Sequence, residues 1–98
     1  MHGRKNSLGK NIDYMMELVE EYLNDKIPRV TFELNFESEI LVRYKKMVKE
    51  NKDFAEWFYD MFSEEGVDVG DTLSDREFKQ LIEDQYDKVK GFTQTDIL

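Results

Sequence analysis

The chain has 98 residues, 40% hydrophobic and 13% aromatic, with 22 acidic residues against 14 basic ones and a net charge of −8. That composition suits one domain with one core, and the absence of cysteine excludes a disulfide framework and a zinc–thiolate site. The acidic excess opposes free nucleic acid and anionic membranes, and no apolar run approaches the ~18 residues of a membrane span.

Residues 1–9 hold Gly3, Ser7 and Gly9 without apolar periodicity and predict a mobile arm. The arm is basic but has no apolar core behind it, so it does not read as a secretory leader, and the expected location is cytoplasmic. A first helix is predicted from Asn11, its N-cap, with Ile12, Met15, Met16, Val19 and Leu23 at helical spacing. Asn24-Asp25 and then Ile27-Pro28 end it, because a residue before proline avoids the helical region.

Over residues 29–35 the period changes. Val30, Phe32 and Leu34 alternate with Arg29, Thr31, Glu33 and Asn35, which predicts a short strand. A lone strand must pair with a second copy, pair with another segment, or serve as an extended linker.

A second helix is predicted from about Glu37 to Glu50, on Ile40, Leu41, Tyr44, Met47 and Val48. A third, capped by Asp53, has the strongest helical period: Phe54, Trp57, Phe58, Met61 and Phe62. Gly66 is placed to stop it in a left-handed conformation. After a loop over 66–73, Ser74 and Glu77 form a capping box that opens a last helix on Phe78, Leu81, Ile82, Gln85, Tyr86 and Val89. Gly91 ends that helix and residues 92–98 make a short tail. The expected fold is therefore mainly α, a single domain over 1–98 built as a compact bundle of about four helices with one short extended segment at 29–35.

Catalytic chemistry finds little footing. The one histidine, His2, lies in the arm, and neither a cysteine nucleophile nor a phosphate-cradling glycine loop is present. No enzyme activity, cofactor or metal is expected. Charge is the informative feature instead. Twelve of the 22 acidic residues fall between Asp53 and Asp87, opposed only by Arg76 and Lys79. Arg43, Lys45, Lys46, Lys49 and Lys52 make a separate basic cluster, for which a solvated helix face is the simpler reading.

An acidic, aromatic-rich surface attracts a basic partner. The residues expected to form it are Asp53, Glu56, Asp60, Glu64, Glu65, Asp68, Asp71 and Asp75, with Tyr59, off the core stripe, as an interface anchor.

Three resemblances bear on function. GDTLSDREF is similar to the second half of an EF-hand loop, but its first, fifth and sixth positions would be Gly66, Gly70 and Asp71, which do not suit calcium. Residues 31–62, as strand, helix, turn, helix, resemble ribbon-helix-helix DNA-binding dimers. That likeness would put Thr31, Glu33 and Asn35 in the major groove and Arg29 on phosphate, against the net charge.

The preferred resemblance is to the small acidic immunity and antitoxin-type inhibitors of bacterial toxin systems, one of size, charge and acidic helices. LSDREFKQLI is similar to a helix opening of nuclease-colicin immunity proteins, although their Tyr-Tyr pair is absent here. The resemblance implies a monomer or homodimer that neutralises a basic protein such as a toxin nuclease domain, by direct inhibition or DNA mimicry.

Overall fold

The computed structural model describes residues 8–95, with side chains as far as residue 91. Helix α1, Lys10–Leu23, turns Ile12, Met15, Met16, Leu18, Val19 and Tyr22 inward. It stops where the sequence predicts. Asp25 takes a left-handed φ of 62°, and the Lys26 and Asp25 N–H groups return to the carbonyls of Glu21 and Tyr22, the paired bonds of a Schellman stop.

Residues 29–35 are helix, not strand. Helix α2 runs from Arg29 to Glu50 with Pro28 at its N-cap, where a missing N–H costs nothing. The misleading alternation has a physical origin. Residues two apart on a helix point roughly 200° apart, so a helix that is apolar on two opposite faces alternates like a strand. Phe32 and Phe36 are fully buried, whereas Val30 and Leu34 face solvent. The ribbon that would have read DNA through Thr31, Glu33 and Asn35 is the opening of this helix.

Asn51 ends α2 and caps α3, Lys52–Phe58, by accepting from the Phe54 N–H at 3.0 Å. Asp53, the expected cap, stands in the first turn instead. The helix then widens into a π-type segment, Tyr59–Val67, whose last turn is closed by the Asp68 N–H donating to the Ser63 carbonyl at 2.9 Å. Glu65 (φ −103°, ψ 16°) leaves helical backbone there.

Gly66 is not a left-handed stop. Its constraint is space, since a Cβ would lie 3.1 Å from the Met61 carbonyl oxygen and 3.3 Å from Ile82 Cδ1. A 3₁₀ turn at Gly70–Thr72 follows. The capping box forms as predicted: Ser74 N–H donates to Glu77 Oε1 at 3.0 Å and Glu77 N–H to Ser74 Oγ at 3.1 Å. Helix α4, Asp75–Thr95, continues through Gly91 instead of ending there. Of the predicted arm and tail, residues 1–7 and 96–98 lie outside the described residues, while Leu8 packs against the core.

Helix α1 packs on α2, α2 on α3, and α4 closes over the π segment and α1, within 36 × 25 × 24 Å. The core between them is a chain of rings. Tyr22 stacks on Phe32 at 4.7 Å, Phe36 stacks on Phe58 at 5.9 Å, and Phe58 meets Phe62 at 4.7 Å. Contacts of this kind add about 0.5–1.5 kcal/mol each beyond area burial.

One polar side chain is spent on the π segment. Gln85, 3% exposed, donates from Nε2 to the carbonyls of Met61 (3.2 Å) and Glu65 (3.3 Å). Gln85→Leu keeps the bulk and removes the donor, so unfolding free energy should fall by about 1–3 kcal/mol in a urea titration. A loss below roughly 0.5 kcal/mol, the range of ordinary surface changes, would show that these carbonyls do not depend on Gln85.

Candidate protein-binding surface

The acidic residues expected to act together fall into two groups. Asp53, Glu56, Asp60 and Glu64 follow one another at i, i+3, i+7 and i+11 along α3 and the π segment, and all are exposed. That spacing keeps them near one side of a continuous helical rod. Glu65 and Asp68 are exposed at its far end.

Lys52 answers Glu56 at 3.6 Å; among the described residues Asp53, Asp60 and Glu64 form no ion pair. Successive like charges at this spacing cost a helix about 0.2–0.5 kcal/mol per pair. Tyr59 is not the outward anchor expected of it. Its ring is half-buried and packs edge-on against Tyr44, with centroids 5.2 Å apart. The Tyr44 hydroxyl is pushed to a higher pKa first by burial and then by the Glu56 and Asp60 carboxylates, which places both acids beside this pair.

The second group surrounds a cation. Asp71 and Asp75 join Glu33 around Arg29 in a surface cleft also lined by Pro28, Val30 and Leu73. Arg29 Nε donates to Glu33 Oε2 (3.3 Å), Nη1 to Asp75 Oδ1 (2.9 Å) and the Leu73 carbonyl (3.1 Å), and Nη2 to the Gly70 carbonyl (2.7 Å). Its guanidinium carbon also stands 4.2 Å from the Phe78 ring centroid, a cation–π contact. Burial disfavours the charge, but bonds to Asp75 and Glu33 outweigh that and hold the pKa above the ordinary guanidinium value.

Gly70 is required by the close approach of the Phe78 ring, because a Cβ there would stand 2.7 Å from that ring. Arg29 therefore ties the start of α2 to the loop before α4, and the carboxylates beside it are partly spoken for.

At the other end of α2, Glu50 closes the start of α1. Its Oε2 accepts from the Asn11 N–H (3.0 Å) and Asn11 Nδ2 (2.8 Å), and its Oε1 from the Ile12 N–H (2.9 Å). Asn11 is thus not the N-cap but a buried relay whose Oδ1 accepts from Arg43 Nη1 at 2.8 Å. Arg43 is further engaged by Glu39 at 2.8 Å and lies 3.7 Å over the Tyr14 ring. Gly9 (φ 155°) is needed here, since a Cβ would collide with the Glu50 side chain. Of the predicted basic cluster, Arg43 and Lys52 have partners, while among the described residues Lys45, Lys46 and Lys49 form no ion pair.

Glu77, the acid that an EF-hand loop would need, is bonded to Ser74, whose backbone N–H and then hydroxyl hold its carboxyl below the ordinary range. No group of three or more His, Cys, Asp or Glu side chains among the described residues is arranged to hold a metal ion, and among them no helix is long and apolar enough to cross a membrane.

Nothing local in the sequence marks Arg29 and Glu50 as long-range ties, whereas Gln85 falls on the predicted inner face of the last helix and is buried there. The Arg29/Glu33 and Glu39/Arg43 pairs, each four apart, were the available signal that α2 is one continuous helix. No family model, curated protein or solved structure matches the chain.

Proposed function

We propose that the protein is a non-enzymatic binding module that engages a basic macromolecule through the acidic rod of α3 and the π segment. The observation that carries this reading is the row Asp53, Glu56, Asp60 and Glu64, exposed and almost unpaired on one side of a continuous helix. A folded protein keeps a row of like charges at a cost, and a cationic partner offsets that cost while its association is electrostatically steered. Glu65 and Asp68 extend the surface; Asp71 and Asp75 lie beside Arg29. An immunity-type inhibitor of a basic nuclease, or a protein that presents carboxylates as a phosphate mimic, works by this chemistry.

The test uses an oligo-arginine peptide as the probe, with binding followed by titration calorimetry at low salt. Reversing Asp60 and Glu64 to Lys should weaken binding by about tenfold or more, on the scale of 1.4 kcal/mol per tenfold. Reversing Glu83 and Asp84 on α4, which changes net charge by the same amount, should weaken it far less. Equal losses from the two pairs would mean that net charge alone acts and that the α3 row is no site.

A further inference from the structure

Phe54 and Phe58 of α3 and Phe62 of the π segment form one buried stripe. At 100° per residue the three fall within about 80° of one another. Unbroken α winding would set Glu65 about 20° from Phe54, inside that stripe. It would also set Val67 about 220° from Phe54, among Asp53, Glu56 and Asp60. A carboxylate would enter the core, where an unpaired charge is costly, and a valine would interrupt the acidic row.

The structure has the reverse. Glu65 is exposed, while Gly66 and Val67 are buried. The wider winding, marked by the Asp68 N–H donating to the Ser63 carbonyl five residues back, puts more residues in each turn and brings Glu65 outward next to Glu64. Such turns are frequent at functional sites.

Two residues fit this winding. Gly66 occupies a place where a Cβ would crowd the Met61 carbonyl and Ile82. Gln85 of α4 donates to the carbonyls of Met61 and of Glu65 itself, 20 positions away. Being 3% exposed, Gln85 cannot touch a partner, so any effect it has on binding passes through the π segment.

We propose that Gln85 is a positioning residue for partner recognition, which holds the π segment so that Glu65 joins Glu64 on the acidic face. The inference rests on the binding role proposed for that face.

A double-mutant cycle tests it, with the full chain, an oligo-arginine peptide and titration calorimetry at low salt. Gln85→Leu alters no charge, yet should weaken binding about threefold or more. Glu65→Lys should weaken binding about tenfold in the wild type but markedly less in Gln85→Leu, where Glu65 has already lost its placement. Asp53→Lys, which lies ahead of the π segment on α3, should weaken both proteins by the same factor. Should Gln85→Leu fail to fold, Gln85→Met removes the same donor and carries the same comparison.

Equal factors for Glu65→Lys in the two backgrounds would make Gln85 a purely structural residue and overturn the proposal. An Asp53→Lys protein that binds like the wild type would instead strike the row itself, and the positioning role with it.

Discussion

Replacing Arg29 by Met should lower the unfolding free energy by about 2–4 kcal/mol, a value set by removing one partner from a mostly buried charged network. The Arg29 side chain is 17% exposed, and its loss leaves the Gly70 and Leu73 carbonyls without their donor. Asp75 contributes little to this number, because its side chain is 91% exposed and solvent screens such a pair to about 0–1 kcal/mol. In a domain of this size the loss appears as a fall in Tm of roughly 10–25 °C.

Arg29→Lys should recover only part of it, since an ammonium cannot reach Glu33, Asp75 and two carbonyls with one planar fork. Asp75→Asn should stay within about 1 kcal/mol of wild type. If Arg29→Met proved as stable as Asp75→Asn, the guanidinium would be a surface decoration and not the latch between α2 and the loop before α4.

Much of the architecture was legible because it is written in local signals. The Phe54/Phe58/Phe62 period, the Asn24-Asp25 stop of α1 and the Ser74/Glu77 box each lie within a few residues of one another, and each forms in the folded chain. Residues 29–35 are ambiguous at that short range. A helix with apolar residues on both sides gives a two-residue period, and only the longer spacing of Phe32, Phe36 and Ile40 separates the two readings.

The acidic row was legible as charge, and its exposure follows from helical spacing. Its subdivision was not legible, because Arg29 reaches Asp75 across 46 positions in sequence. The cover over Tyr59 is illegible for a similar reason: Tyr44, which packs on it, belongs to another helix. Asn11 looked like a cap by residue type, yet the cap comes from Glu50, 39 positions away. Pairings at such range leave no trace in a single sequence.

Glu50→Gln should cost about 2 kcal/mol at neutral pH, on the scale of charge-assisted bonds at a helix N-terminus. The amide keeps one acceptor oxygen but presents an NH₂ where the carboxylate accepts from Asn11 and Ile12, so donors meet donors. The loss should depend on pH in a definite direction. Burial alone would raise the Glu50 pKa, but the hydrogen bonds from Asn11 and Ile12, aided by Lys10, outweigh it and hold the carboxyl below the ordinary glutamate range.

A group whose pKa is lower folded than unfolded stabilises the fold fully above its unfolded value, about 4.3 for glutamate. That contribution is lost as pH falls through the lowered folded value, where the carboxylate takes up a proton. The stability difference between wild type and Glu50→Gln should therefore be constant from neutral pH down to about 4.3 and then shrink on further acidification. Parallel urea titrations of the two proteins isolate this term, because every other carboxylate titrates in both. A difference that held constant through the whole acid range would mean that Glu50 acts by shape and neutral hydrogen bonding, and that its charge does not stabilise the start of α1.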